Sequence, residues 1–140
     1  MSRVFWDTNL FIYLFEGHGA LNTRVVKLRQ AMLERGDLLV TSALTLGEIL
    51  VKPVEHKNTD LATKYEGAVT ATSLLIAFDA RAARIYASIR SDRSIRAPDA
   101  IQLACAAAAG VDLFITNDER LSTKRVDGIQ FIVSLTRAPL

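Results

Sequence analysis

A chain of 140 residues, half of them hydrophobic, can bury one sizeable core; it is read as a single domain over residues 1–140 and not as a disordered chain. No apolar run is long enough to span a bilayer, and a net charge of +2 is too small to mark a nucleic-acid binder by charge alone. A single cysteine, Cys105, excludes an internal disulfide and fits a reducing cytoplasm.

Met1-Ser2-Arg3 runs directly into a strand and does not read as a signal peptide. Val4-Phe5-Trp6 forms the first strand and ends on Asp7-Thr8-Asn9. A short, wholly apolar strand suits a parallel sheet covered on both faces. Ligands of such sheets bind in the crevice beyond the carboxyl ends of the strands, where Asp7 would lie. Asp7 or Thr8 could equally do no more than cap the next helix. That helix, Asn9 to Glu16, is apolar nearly all round, so its burial against the sheet and against another chain is expected. Gly17, His18 and Gly19 end it, with His18 in solvent.

Residues 22 to 35 read as an amphipathic helix with Asn22 as N-cap, Leu21, Val25, Leu28 and Met32 on its apolar face, and Gly36 just past its end. Asp37 to Ser42 is the second strand. Ala43 to Val51 is a helix stopped before Pro53. Glu48 is the only charge in that helix, so partial burial is expected, and with it a partner for the carboxylate. His56 lies in a solvated linker. Residues 59 to 71 form a further helix with Leu61, Tyr65, Ala68 and Val69 on one face.

Ser73 to Phe78 is the third strand. Asp79 caps Ala80 to Arg90, whose apolar face is Ala82, Ile85, Tyr86 and Ile89; Arg81 and Arg84 lie opposite, and Arg90, Arg93 and Arg96 follow. Ala97-Pro98-Asp99 opens an Ala-rich helix that ends at Gly110 and holds Cys105 as a core residue. Val111 to Thr116 is the fourth strand, followed by Asn117-Asp118-Glu119-Arg120, and Gly128 to Val133 is the last. Strands alternating with helices give an α/β fold with a parallel sheet.

Asp7 and Asp118 each follow an apolar strand and so project from the same sheet edge. Asp99 sits in a first helical turn, where the macrodipole favours an acid; Glu48 is in the helix after the second strand. Each has a purely structural alternative: a cap for Asp7, a first-turn acid for Asp99, a turn residue for Asp118. Gathered together they would repel, by about 4 kcal/mol for a pair ~4 Å apart at an effective dielectric near 20. Oxygen ligands without nearby His or Cys select a hard ion, Mg²⁺ or Mn²⁺, and metal-assisted phosphodiester hydrolysis is the matching chemistry.

The four stretches Val4-Phe5-Trp6-Asp7-Thr8-Asn9, Ser42 to Glu48, Arg96 to Ala104 and Leu113 to Asp118 together resemble the PIN-domain ribonucleases, above all the VapC-type toxins of type II toxin–antitoxin pairs. The resemblance covers Arg3 to about Val133. It implies a three-layer fold with a central five-stranded parallel sheet flanked by helices, and Mg²⁺-dependent (or Mn²⁺-dependent) endoribonuclease activity. It maps the family's acids onto Asp7, Glu48, Asp99 and Asp118, with Asp7 and Asp99 as main metal ligands and Glu48 and Asp118 completing the pocket. Thr8, Asn9, Thr116 and Asn117 are the expected hydrogen-bond donors behind them. It also implies an RNA substrate, a cognate antitoxin covering the site, a homodimer and no membrane. Arg81, Arg84, Arg90, Arg93 and Arg96 are candidates for RNA phosphate contacts.

Three other readings stay open on the residues alone. One is a PIN-type RNA-processing nuclease outside a toxin system. Another is a non-catalytic module whose acidic pocket docks a basic peptide or an ion. The last is a phosphatase with Asp7 as nucleophile, which the Asn at position 9 disfavours, because such enzymes place a second acid there.

Overall fold

The computed structural model describes residues 1–139. The apolar runs pair as strands β1 (Arg3–Trp6), β2 (Leu38–Ser42), β3 (Leu74–Ile76), β4 (Leu113–Thr116) and β5 (Phe131–Ser134), in the order β3-β2-β1-β4-β5. Every pairing is parallel. The expected α/β fold with a five-stranded parallel sheet is therefore observed. β3, β4 and β5 start one to three residues later than the sequence reading put them, in the turns that feed each strand.

Among the described residues six α-helices cover the sheet: α1 (Thr8–Glu16), α2 (Gly19–Arg35), α3 (Ala43–Glu55), α4 (Thr59–Thr72), α5 (Ala80–Ile89) and α6 (Ala97–Ala108). The strand alternation sorts them into layers. Val4, Trp6, Leu39 and Ile115 face a core built with α1, α2, α3 and α4. Phe5, Val40 and Phe114 face the other side, where α5 and α6 supply Ala82, Ile89, Leu103 and Ala104. Phe5 and Phe114 are register partners across β1 and β4, and their rings stack 4.9 Å apart. Cys105 lies in this second core as expected, and burial pushes its thiol up to about 11.

Several local expectations give way to tertiary structure. Asn22 does not cap α2. The helix begins at Gly19 behind His18, and Asn22 instead donates to the carbonyl oxygens of Tyr13 (2.9 Å) and Leu14 (3.2 Å), the unpaired carbonyls near the end of α1. Leu21 is exposed while Val25, Leu28 and Met32 are buried. Pro53 does not stop α3, which runs on to Glu55. It sits in the last turn, so its missing N–H costs a single ladder bond, and its ring is buried.

Gly128, in the turn before β5, has φ +95°, and a Cβ there would stand 2.9 Å from the Ala107 carbonyl oxygen at the end of α6. Gly128→Ala is expected to cost about 2 kcal/mol, from left-handed strain and this backbone clash. A urea melt measures it; an unchanged midpoint would mean that the turn relaxes freely.

The strand order fixes where a ligand can bind. From β1 the chain crosses to β2 and β3 on one side, then returns past β1 to β4 and β5 on the other. The carboxyl ends of β1 and β4 flank this reversal, where the connections diverge and leave a crevice. Asp7 continues β1 and its N–H bonds the Ile115 carbonyl of β4 at 3.0 Å.

Candidate metal and active site at the carboxyl edge of the sheet

Asp7 does cap α1, but capping accounts for only part of its environment. Its Oδ1 accepts from the Thr8 N–H at 2.9 Å and from Gln102 Nε2 at 3.4 Å, and its Oδ2 accepts from Thr116 Oγ1 at 2.9 Å. Burial pushes the Asp7 carboxyl above its usual range; the bonds from Thr116, Thr8 and Gln102 draw it down, and the charge of Glu48 pushes it up again.

Asp99 is half-buried in the first turn of α6, behind Pro98. Burial raises its carboxyl, and the charges of Asp7 and Asp118 raise it further, against the opposing pull of Arg96 and Arg120. Among the described residues nothing donates a hydrogen bond to it. A half-buried carboxylate repelled by two others and held by no donor is a group that a cation would stabilise.

Glu48 departs from expectation. The residue is exposed, not partly buried, since the apolar α3 is not covered on all sides: Val51 is 50% and Val54 64% exposed. Its Oε1 nevertheless accepts from Thr8 Oγ1 at 2.7 Å, which ties it to the Asp7 turn. Asp118 organises the turn that follows β4. Its Oδ1 accepts from the N–H groups of Arg120 (2.9 Å) and Leu121 (3.4 Å), organising the turn, while its charge acts on Asp99.

The four acids thus form a chain, Glu48 beside Asp7, Asp7 beside Asp99, and Asp99 beside Asp118. Asp7, Glu48 and Asp99 line one cleft of about 270 Å³; Asp99 and Asp118 line its neighbour of about 330 Å³. Among the described residues no three acids converge on a single ion-sized point. Mg²⁺ does not need three, because it commonly takes one or two carboxylates and keeps its waters. The donor set fits a hard cation: all oxygen, with both oxygens of Asp99 open and room left on Asp7 Oδ2.

Of the residues expected behind the acids, Thr8 and Thr116 donate to them. Asn117 instead donates to Tyr13 Oη at 2.9 Å, because its side chain turns across α1, and Asn9 is exposed at the cleft wall. The sequence reading missed Ser42, Thr45 and Gln102, which are buried beneath the acids. A signal existed for Gln102: it is the sole strongly polar side chain between Asp99 and Ala108, one turn from Asp99 on the same helix face.

The five arginines lie in different surroundings. Neither acid cleft is lined by Arg81 or Arg84, which sit exposed on α5, and Arg90 Nη1 is committed to the Ile95 carbonyl at 2.6 Å. Arg93 is exposed in the loop before α6. Arg96 alone of the five acts on Asp99. Two cations the sequence did not single out, Arg120 and Lys124, line the cleft of Asp99 and Asp118.

On the opposite side of Glu48 runs an apolar groove of about 550 Å³ between α1, α3 and α4, floored by Ile12, Phe15, Ile49 and Tyr65. Phe15 and Tyr65 stack there at 4.8 Å. No helix among the described residues is long and apolar enough to cross a membrane.

Residues 4–128 match the family model of the PIN domain. No protein of curated function matches the chain significantly by sequence. Solved structures of similar fold include VapBC2 from Rickettsia felis, bound to a DNA fragment from their promoter, at 16% identity and a TM-score of 0.73 over 94% of this chain and 98% of that one. A toxin–antitoxin complex from Klebsiella pneumoniae aligns at 23% identity and a TM-score of 0.65, over 90% and 94%. DNA-bound VapBC from Salmonella typhimurium aligns at 19% and 0.67, over 96% and 99%. At these identities the likeness is one of fold.

Proposed function

The chain belongs to the PIN-domain family, and on that premise we propose that it is a metal-dependent endoribonuclease acting as the toxin of a type II toxin–antitoxin pair. The observation that carries this reading is Asp99: half-buried, without a donor among the described residues, and raised by its burial and by the charges of Asp7 and Asp118 at the sheet's switch point.

In this reading Asp7 and Asp99 hold Mg²⁺ or Mn²⁺, and Glu48 and Asp118 flank them. A bound ion supplies positive charge to a phosphoryl oxygen and lowers the pKa of water at the site. The protein does the rest. Thr116 and the Thr8 N–H fix the two oxygens of Asp7 from opposite sides. Glu48, anchored by Thr8 and open to solvent, is placed to orient a water. Arg96, Arg120 and Lys124 offer positive charge beside Asp99 and Asp118, where the RNA backbone on either side of the cut would lie.

The partner reading has its own support. The structural relatives named above include toxin–antitoxin assemblies. Here an apolar groove opens next to Glu48, and Val51 and Val54 are exposed beside it. A cognate antitoxin segment laid in that groove would cover apolar surface and reach the acids. Homodimer formation belongs to the same proposal.

The test is direct. The purified chain, free of any partner, is incubated with total RNA in Mg²⁺ or Mn²⁺ and the new ends are sequenced. Internal cleavage in either ion and none with excess chelator is the expected result. Cleavage that persists in chelator, or none in either ion, contradicts the proposal.

A further inference from the structure

We propose that Gln102 is a positioning residue that sets the orientation of Asp7 and Glu48 relative to Asp99; this rests on the metal-nuclease reading above. Gln102 is 2% exposed and stands one turn beyond Asp99 on α6. Its Nε2 lies 2.7 Å from Thr45 Oγ1, 3.1 Å from Thr8 Oγ1 and 3.4 Å from Asp7 Oδ1. Its Oε1 accepts from Ser42 Oγ.

Counting protons fixes the direction of the bonds from Gln102 Nε2, since an amide nitrogen can only donate. The Thr41 hydroxyl lies 2.9 Å from both the Trp6 carbonyl and Thr45 Oγ1, and Thr45 Oγ1 stands 3.1 Å from Thr8 Oγ1. The Thr8 hydroxyl donates to Glu48, whose carboxylate can only accept. Both threonine oxygens therefore receive from Gln102, whose two Nε2 protons serve Thr45 on one side and Thr8 with Asp7 on the other. The Ser42 hydroxyl on Oε1 prevents the amide from turning over. In this arrangement each buried hydroxyl has an acceptor.

The consequence is geometric. One side chain on α6 links the start of α1, the end of β2 and α3, and its donors run outward to two carboxylates: directly to Asp7, and through Thr8 to Glu48. Asp99 is carried by the same helix, so the spacing of three acids depends on one buried amide. A network satisfied this fully is rigid, and partners behind metal ligands typically change ion affinity or turnover by about 10–100-fold when removed.

The experiment uses the whole chain and Mn²⁺ alone as probe, read by titration calorimetry, with RNA turnover alongside. Gln102→Met keeps the volume and removes the donors. It is expected to weaken Mn²⁺ binding by about 10–100-fold and to lower kcat by a similar factor with KM for RNA unchanged. Thr45→Val, which removes the 2.7 Å anchor of the amide together with the Thr45 contacts to Thr41 and Thr8, is expected to give the same pattern more weakly. Ile129→Val, in the core that α5 and α6 form against the sheet but outside both acid clefts, serves as the stability control. Mn²⁺ binding within twofold of wild type in both folded network variants overturns the proposal, as does an equal loss in Ile129→Val. Should Gln102→Met fail to fold, Thr45→Val decides by the same criteria. Wild-type chain that binds no Mn²⁺ overturns the metal-nuclease reading itself, a failure distinct from the others.

Discussion

Asp7→Asn is expected to abolish RNA cleavage, by about a thousandfold or more, and with it growth inhibition on expression. The size follows from what the substitution removes. A carboxylate proposed to hold the ion becomes a neutral amide, and one of its two oxygens becomes a donor. That donor would face either Thr116 Oγ1, which now donates to Asp7 Oδ2 at 2.9 Å, or the pair formed by the Thr8 N–H and Gln102 Nε2. Either way one bond is inverted, so charge and orientation are lost together. Losing an interaction of about 4 kcal/mol in the transition state corresponds to about three decades in rate. The variant should still fold, since β1 and the hydrophobic contacts of α1 are untouched. Loss of cleavage with a normal melting curve is the confirming pair of measurements; retained cleavage by a folded Asp7→Asn chain would remove the mechanism.

Asp7, Asp99 and Asp118 were legible in the sequence because each sits where an apolar run meets a turn or at a helix start, which fixes its place on the sheet edge. Asp7 after Val4-Phe5-Trp6 and Asp118 after Leu113 to Thr116 are adjacent because β1 and β4 are neighbours, and apolar parallel strands are among the most readable elements of a chain. Of the hydroxyls beneath them, Thr8 and Thr116 were expected from the resemblance, while Ser42 and Thr45 were not legible. Ser42 is an N-cap and Thr45 sits where threonine is unremarkable; only the convergence of separate elements turns them into a network. Asn22 and Pro53 misled for a shared reason. A local rule assigned each a role at a helix end, and packing against another segment decided otherwise. Glu48 was misread through hydrophobicity. An apolar stretch was equated with a buried one, but the exposed Val51 and Val54 show that part of α3 is apolar and uncovered, which is what a partner face looks like.

The electrostatics of the site predict an inverted pH dependence of stability without metal. The folded-state carboxyls of Asp7 and Asp99 are both raised above their ordinary value of 3.8. Between that value and the raised one the folded chain holds more protons than the unfolded chain, so stability falls as pH rises through the window. Asp92 works the other way: hydrogen bonds from Ser94, with Lys124 beside it, lower its carboxyl to about 2, and its contribution is complete once pH exceeds the ordinary value of 3.8. From about pH 4 upward the site pair therefore sets the slope, and Tm in chelator is expected to fall toward neutral pH. Mg²⁺ binds the ionised acids and should reverse this. At ten times its Kd it adds about 1.4 kcal/mol, enough to raise Tm by roughly 3–6 °C at neutral pH, with little effect near pH 4 where the acids hold protons. Asp99→Asn removes the middle charge of the chain of acids. It should flatten the pH slope, raise Tm in chelator at neutral pH, and erase most of the gain from Mg²⁺. Melts from pH 4 to 8, with and without the ion, read all three effects. A wild-type Tm that climbs toward neutral pH in chelator, or a Mg²⁺ effect as large at pH 4 as at pH 7, would mean that the acids do not share a field.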